Sequence, residues 1–251
     1  MMNLRAITLL SIILLAFNPL FSQDKYQLYD EEKTVLLKNE FMGGITLHSS
    51  GFGLDLRRGY HITGYKKGVF EIEIVGMKHP KEIRTVNPRF DNAKSYIYGK
   101  SNSLTILRGM YGIQNVLYSK AEKSGIQVRY TYSGGFALGM AKPVYLEILP
   151  NTFPLEARTT IERYDPNIHF TDNIFGRAPF FTGVDEMKFY PGLSAKSGIS
   201  FEYSHDHERL KVLEVGVALD AFAKPVPIMA LIDNKQFYVS FYINVLFGRR
   251  W

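Results

Sequence analysis

Lys235–Trp251, KQFYVSFYINVLFGRRW, is the stretch that decides the fold. Phe237, Val239, Phe241, Ile243, Val245 and Phe247 occupy one parity; Tyr238, Ser240, Tyr242 and Asn244 occupy the other. A β-strand sends successive side chains to opposite faces, so this pattern predicts a strand with one apolar and one polar face. Trp251 falls in the apolar parity.

Working back along the chain, the same dyad alternation returns. Phe52, Leu54, Leu56, Tyr60 and Ile62 oppose Gly53, Asp55, Arg57, Gly59 and His61, and Phe70, Ile72 and Ile74 oppose Glu71 and Glu73. Ile126 to Met140 sets Val128, Tyr130, Tyr132, Phe136 and Leu138 against Gln127, Arg129, Thr131 and Ser133. Ile199, Phe201 and Tyr203 oppose Ser200, Glu202 and Ser204; Leu213, Val215, Val217 and Leu219 oppose Glu214, Gly216, Ala218 and Asp220. Phe41–His48 and Ser103–Tyr111 are weaker strands, the second placing Arg108 in the parity of Leu104 and Ile106. Lipid-facing and lumen-facing residues alternate on every spanning strand of a membrane barrel. The expectation is therefore an all-β, eight-stranded antiparallel transmembrane β-barrel with one long outward loop. Val144–Leu149 and Pro227–Ile232 would make ten strands if they joined the wall. A soluble β-sandwich also alternates, but has no need of the closing strand, whose Phe247 and Trp251 are expected to act as a C-terminal insertion signal.

The amino terminus agrees. Arg5 precedes an apolar stretch from Ala6 to Phe17, broken by Asn18 and Pro19 before Ser22, which is the form of a secretory signal peptide. The expected organisation is a signal peptide over 1–22, a periplasmic segment over 23–40 and the barrel over 41–251, integral to the outer membrane. A membrane anchor would need about 20 apolar residues. Without cysteine, neither acylation at an N-terminal cysteine nor a disulfide framework is expected. Aromatic residues make up 14% of the chain, with 16 Tyr and 18 Phe, enough for girdles at two membrane interfaces. The net charge of +6 is scattered among turns, so no nucleic-acid partner is expected.

Eight strands enclose a lumen just wide enough for side chains. The polar parity assigns Asp55, Arg57, His61, Glu71, Glu73, Arg129, Glu202, Glu214 and Asp220 to it, and because acids outnumber bases Arg108 is expected to turn inward. A buried unpaired charge costs several kcal/mol, so these groups are expected to form a structural salt-bridge plug rather than a proton or cation wire. Other polar groups are candidates for chemistry. His48 with Ser49 and Ser50, and His169 with Asp165 and Asp172, could support a lipid-modifying nucleophile, but no nucleophile elbow is present. The run HDHE from His205 to Glu208 could hold a metal and also fits a solvated turn. SGGFALG, Ser133–Gly139, has no following helix or Lys and is no phosphate loop. No catalytic residue, metal site, cofactor or small-molecule substrate is expected; the expected partners are outer-membrane lipid and other outer-membrane proteins.

The long outward loop from Pro150 to Lys196 keeps Phe153, Tyr164, Phe170, Phe175, Phe180, Phe181, Phe189 and Tyr190, which argues against disorder. Aromatics beside Arg158, Arg163 and Arg177 have the composition of an interface centre. Partner binding, with Arg177, Phe180 and Phe181 as first contacts, and folding over the barrel's own mouth both stand as readings.

GGITLHSSGFGLDLRRG, HPKEIRTVNPRFDNAKSYIYGKSNS, RYTYSGGFALGMAKPVYLEI, RYDPNIHFTDNIFGRAPFF and LEVGVALDAF together resemble a family of small Bacteroidota outer-membrane β-barrels. The resemblance implies a non-enzymatic barrel associated with a large envelope machine: an accessory subunit of the β-barrel assembly machinery, or of the type 9 secretion apparatus. It carries over no active-site residue.

Overall fold

In the computed structural model the described residues are 39–90, 92–120, 125–149, 159–204, 208–230 and 232–251. The expected signal peptide, residues 23–38, Phe153 and Arg158 of the long loop and His205–His207 of the HDHE run lie outside them.

Among the described residues every regular element is a strand: β1 (Asn39–His48), β2 (Gly51–His61), β3 (Lys66–Met77), β4 (Arg84–Thr85), β5 (Tyr96–Ile97), β6 (Asn102–Tyr118), β7 (Gln127–Pro143), β8 (Tyr145–Ile148), β9 (Thr160–Arg163), β10 (Ile174–Arg177), β11 (Lys188–Glu202), β12 (Arg209–Phe222) and β13 (Phe237–Arg250). Eight of them, in the order β1-β2-β3-β6-β7-β11-β12-β13, form a closed antiparallel barrel. The closing seam runs from Glu40 opposite Arg250 to His48 opposite Tyr242, and Asn39 and Trp251 exchange two backbone hydrogen bonds at its end.

The wall is inside-out relative to a water-soluble protein. Ile45, Leu54, Ile72, Phe136, Val239 and Phe241 are all at least half exposed, whereas charged side chains of the opposite parity are buried. An apolar exterior of that extent is not sustained in water and is what a spanning barrel presents to lipid. Near the end carrying the termini, Tyr60, Phe70 and Tyr111 form an aromatic cluster, with ring centroids 6.0 and 5.0 Å apart and the two phenols 2.9 Å apart.

Barrel strands are longer than the alternation alone suggests. β11 begins at Lys188, so Lys188–Lys196 belongs to the wall rather than to the long loop; Pro191, Gly192 and Ala195 blur its apolar rhythm, yet Phe189 and Leu193 face out while Ser194 and Lys196 face in. β1 begins before residue 41, with Glu40 buried inside. Tyr145–Ile148 does not join the wall: it is β8, the middle strand of a separate sheet β10-β8-β9. Among the described residues of 227–232 the ladder pairing is the isolated bridge Lys100–Met229. The barrel has eight strands and not ten.

Connections at the end carrying the termini, 62–65, 119–126 and 203–208, are short. Those at the other end are the tight turn at Ser49–Ser50 and the long segments 78–101, 144–187 and 223–236. This is the asymmetry of short periplasmic turns and longer outward loops.

Candidate functional site: the charged lumen and the outward cap

Inward parity delivers all eight expected lumen charges, Asp55, Arg57, Glu71, Glu73, Arg129, Glu202, Glu214 and Asp220, to buried positions. His61 is half-buried at the end of β2. The charges separate into two groups. In the central one, Arg57 donates from Nε to Asp55 at 2.9 Å, forks onto both Glu214 oxygens at 2.6 and 2.8 Å and reaches Glu71 at 3.2 Å. Arg108 forks onto Asp220 at 2.9 and 2.6 Å and donates to Glu73 at 2.7 Å. Planar two-point pairing of this kind is the strong form of the ion pair. Lys196 donates to Glu71 at 2.5 Å and Glu73 at 3.3 Å, with its ammonium 4.4 Å from the Tyr242 ring centroid. Thr46 donates to the other Glu73 oxygen at 2.8 Å, and Ser200, Tyr242 and Asn244 add bonds at 2.9 to 3.1 Å to the Glu214 and Asp55 oxygens that Arg57 already engages.

The second group lies toward the termini. Arg129 pairs with Glu202 and donates to Gln114 at 3.1 Å; Lys67 pairs with Glu40; Arg250 bridges Glu40 and Glu202 at 2.7 and 2.9 Å; and Lys120 reaches Glu202 at 3.1 Å. Met42, Leu210, Val212 and Leu246 form a buried apolar cluster of their own. Counted by formal charge, the two groups are oppositely unbalanced. Asp55, Glu71, Glu73, Glu214 and Asp220 share Arg57, Arg108 and Lys196, an excess of two negative charges. Glu40 and Glu202 face Lys67, Lys120, Arg129 and Arg250, an excess of two positive charges. The surpluses are equal and opposite.

Arg108 turns inward as the acid excess suggests. Sequence reasoning missed Lys196, Glu40, Lys67, Lys120 and Arg250. Lys196 was hidden by assigning it to a loop; its parity with Ser194, Gly198 and Ser200 is the signal that finds it. Carboxylate oxygens of Asp55, Glu71 and Glu73 lie within 4.8 Å of one another, a grouping that could hold a cation, but the Lys196 ammonium bonds two of the three carboxylates. What this arrangement does is brace: Arg57–Glu214 ties β2 to β12, Arg108–Asp220 ties β6 to β12, and Lys196–Glu71 ties β11 to β3 across the lumen.

Above the central group the lumen is closed by apolar side chains. Val75, Met77, Leu104, Ile106, Ala137, Ala141 and Phe222 of the wall meet Val226, Ile228 and Met229, which the last outward connection brings to the mouth. The Ile228 carbonyl accepts from the Ser101 and Asn102 amides at 2.9 and 3.2 Å. Gly139 of the Gly-rich stretch serves this plug: a Cβ there would lie 2.9 Å from the Phe222 ring.

The three long outward connections form one cap. Tyr96, Leu146, Ile148, Tyr164 and Ile174 make its core. The Asn87 side chain donates to the Thr171 and Ile174 carbonyls at 3.0 and 2.8 Å, Lys94 pairs with Glu147 at 2.6 Å, and Phe90 meets Phe175 with centroids 5.6 Å apart. The body of the long loop thus folds over its own barrel. His169 is part of that body rather than of a nucleophilic set: its Nδ1 accepts the Asp165 amide at 2.9 Å, which leaves the proton on Nε2 to donate to Glu162 at 3.2 Å. Asp172 lies 3.6 Å from Arg89 instead. His48 Nδ1 accepts the Ser50 amide at 3.3 Å, closing the turn between β1 and β2. In the cap, desolvation pushes the Tyr96 and Tyr164 phenols above their ordinary range.

Of the expected contact residues, Arg177 is exposed at the end of β10, and Phe180 and Phe181 are 77% and 80% exposed. Phe247 and Trp251 are both more than half exposed.

No family model matches the chain, and no curated protein does. Among solved structures, the crystal structure of Neisserial surface protein A is similar at 10% identity over 86% of this chain and 97% of that one, with a TM-score of 0.39.

Proposed function

We propose that this chain is a non-enzymatic integral outer-membrane barrel that serves as an accessory, scaffolding subunit of a larger envelope complex. One observation carries the reading: paired charge groups cross the lumen and an apolar plug closes its outward end, which leaves the lipid-facing wall and the cap as the surfaces for function. The cap holds its own shape and presents Ile83, Val86, Ile161, Ile168 and Phe170, each at least half exposed, together with Arg177. Exposed apolar residues beside arginine suit protein recognition.

The resemblance in sequence makes the machinery that inserts other barrels the first complex to test, with the type 9 secretion apparatus second. Affinity purification of the tagged protein at native expression, from gently solubilised envelopes, is expected to return a defined set of outer-membrane proteins. Recovery of the barrel alone in several mild detergents overturns the subunit reading. If the protein were instead a lipid-modifying enzyme, His48→Ala or Ser49→Ala would alter the envelope's lipid profile at unchanged protein level; no such change is expected.

A further inference from the structure

We propose that Phe180 and Phe181 form a finger that seats in the outer leaflet of the membrane, against the lipid-facing side of β7 and β11, so that its partner is lipid acyl chain and not protein. This rests on the membrane placement of the barrel given above but not on its role as a subunit.

Position comes first. Lys142 shares the outward parity of β7 with Phe136, Leu138 and Met140, so it leaves the wall on the lipid side at the loop end of the strand. Its ammonium donates to the carbonyls of Phe180 and, at 3.4 Å, Thr182, and lies 4.7 Å from the Phe180 ring centroid. The finger is therefore tethered on the lipid side of the rim, not over the mouth. Immediately below it the wall continues apolar: Phe189 pairs with Met140 and Leu193 with Phe136 across β7 and β11, and Phe189, Leu193 and Phe136 are 61%, 60% and 77% exposed.

Shape comes second. The Thr182 amide donates to the Pro179 carbonyl at 3.2 Å and the Val184 amide to the Phe181 carbonyl at 3.4 Å, a tight double turn that projects both rings. Gly183 makes it possible. Its φ is +78°, in the left-handed region that favours glycine, and a Cβ there would lie 2.5 Å from the Tyr145 ring. The two rings meet edge-to-face at 5.3 Å, and neither belongs to a buried cluster of the cap. Two adjacent phenylalanines held outward at this exposure gain by burial. The apolar phase continuous with the wall beneath them is lipid, and a lysine at the rim can bury its stem there while its ammonium stays at the polar boundary.

The chain has a single tryptophan, Trp251, so Trp251→Phe combined with Phe181→Trp reports from the finger alone. The full-length protein is refolded into phosphatidylcholine vesicles with and without lipids brominated in mid-chain, beside two controls in the same background: Phe241→Trp on the wall and Ile168→Trp on the cap. The expected result is quenching at positions 181 and 241, where the side chain meets lipid, and none at 168. Quenching at 241 but not at 181, in protein that migrates as a folded, heat-modifiable barrel, overturns the finger and leaves the membrane reading intact. No quenching at either position overturns both. In native envelopes a photo-crosslinker at 181 is expected to yield lipid adducts; protein adducts as the main product overturn the proposal and return the finger to protein docking.

Discussion

The lumen and the cap are both buried, and they are filled with opposite materials. Inside the barrel Arg57, Arg108 and Lys196 are bonded to five carboxylates; inside the cap Tyr96, Leu146, Ile148, Tyr164 and Ile174 touch one another. The same chain makes both, so residue type alone does not say what is inside. The surrounding solvent does. Where the wall faces lipid, apolar side chains are spent outward and the charged ones are left to the interior, beside smaller apolar clusters such as Met42, Leu210, Val212 and Leu246. Where the chain leaves the membrane, water lies outside and apolar residues turn in again.

Breaking the lumen should have the larger effect. Arg57→Met leaves Asp55, Glu71 and Glu214 without their shared guanidinium, and removing one partner of a buried ion network costs about 3–5 kcal/mol. The measurement is urea unfolding in detergent, followed by loss of the heat-modifiable band. Adding Glu214→Gln should recover a large part of the loss. A neutral single variant would mean that water screens the lumen, and the contrast with the cap would fail. Ile174→Ala in the cap should cost about 2–4 kcal/mol of cap stability only. Proteolysis within 144–187 should accelerate while the barrel band is unchanged; loss of both together would show the cap and the wall to be one cooperative unit.

A third change sharpens the comparison within the lumen. Gly198 and Gly216 face each other on β11 and β12, and a Cβ on either would lie 2.5 to 2.8 Å from the Tyr242 side chain. At Gly198 the phenol is the nearest group, at 2.5 Å, whereas at Gly216 the Ser197 carbonyl is nearer still, at 2.3 Å. Gly198→Ala should cost about 1–3 kcal/mol by overpacking and displace the phenol, the nearest group to the added Cβ, from its 2.9 Å bond to Glu214. Tyr242→Ala in the same background should relieve much of it, again by urea unfolding. An additive double variant would show that the ring is not what the glycine accommodates.

Alternation made the wall legible because lipid punishes each polar residue on the outer face, so Phe237 to Phe247 and Phe52 to Ile62 carry the pattern openly. β11 was only half legible. Pro191 and Ala195 are only weakly apolar on the outward parity, Gly192 sits on the inward one with Ser194 and Lys196, and the blurred rhythm hides Lys196 from a strand reading. The cap was hardly legible at all: β8, β9 and β10 are four residues each and owe their existence to packing between distant segments, such as Asn87 on Thr171 and Ile174. Of the two readings of the long loop, folding over the barrel's own mouth describes Tyr164 and Ile174, which are buried in the cap, while Phe180 and Phe181 project from the rim.

The smallest expected effect lies at the cap's edge, where charge meets water as it does not in the central lumen group. Thr160 and Glu162 share a face of β9, and the Thr160 hydroxyl donates to Glu162 Oε1 at 2.8 Å. That bond first, then the one from His169 Nε2, holds the Glu162 carboxyl below its ordinary range. A carboxylate with a depressed folded pKa contributes stability that is present above the ordinary glutamate value and is lost as pH falls through the folded value. The side chain is 45% exposed, so solvent screening keeps that contribution well under about 1 kcal/mol. An NMR titration of the Glu162 carboxyl should therefore give a midpoint below the model-peptide value of about 4.3, and Thr160→Ala should move it up. If Thr160→Ala leaves the midpoint in place, the hydroxyl is not the group that sets it, and the imidazole of His169 takes over the assignment.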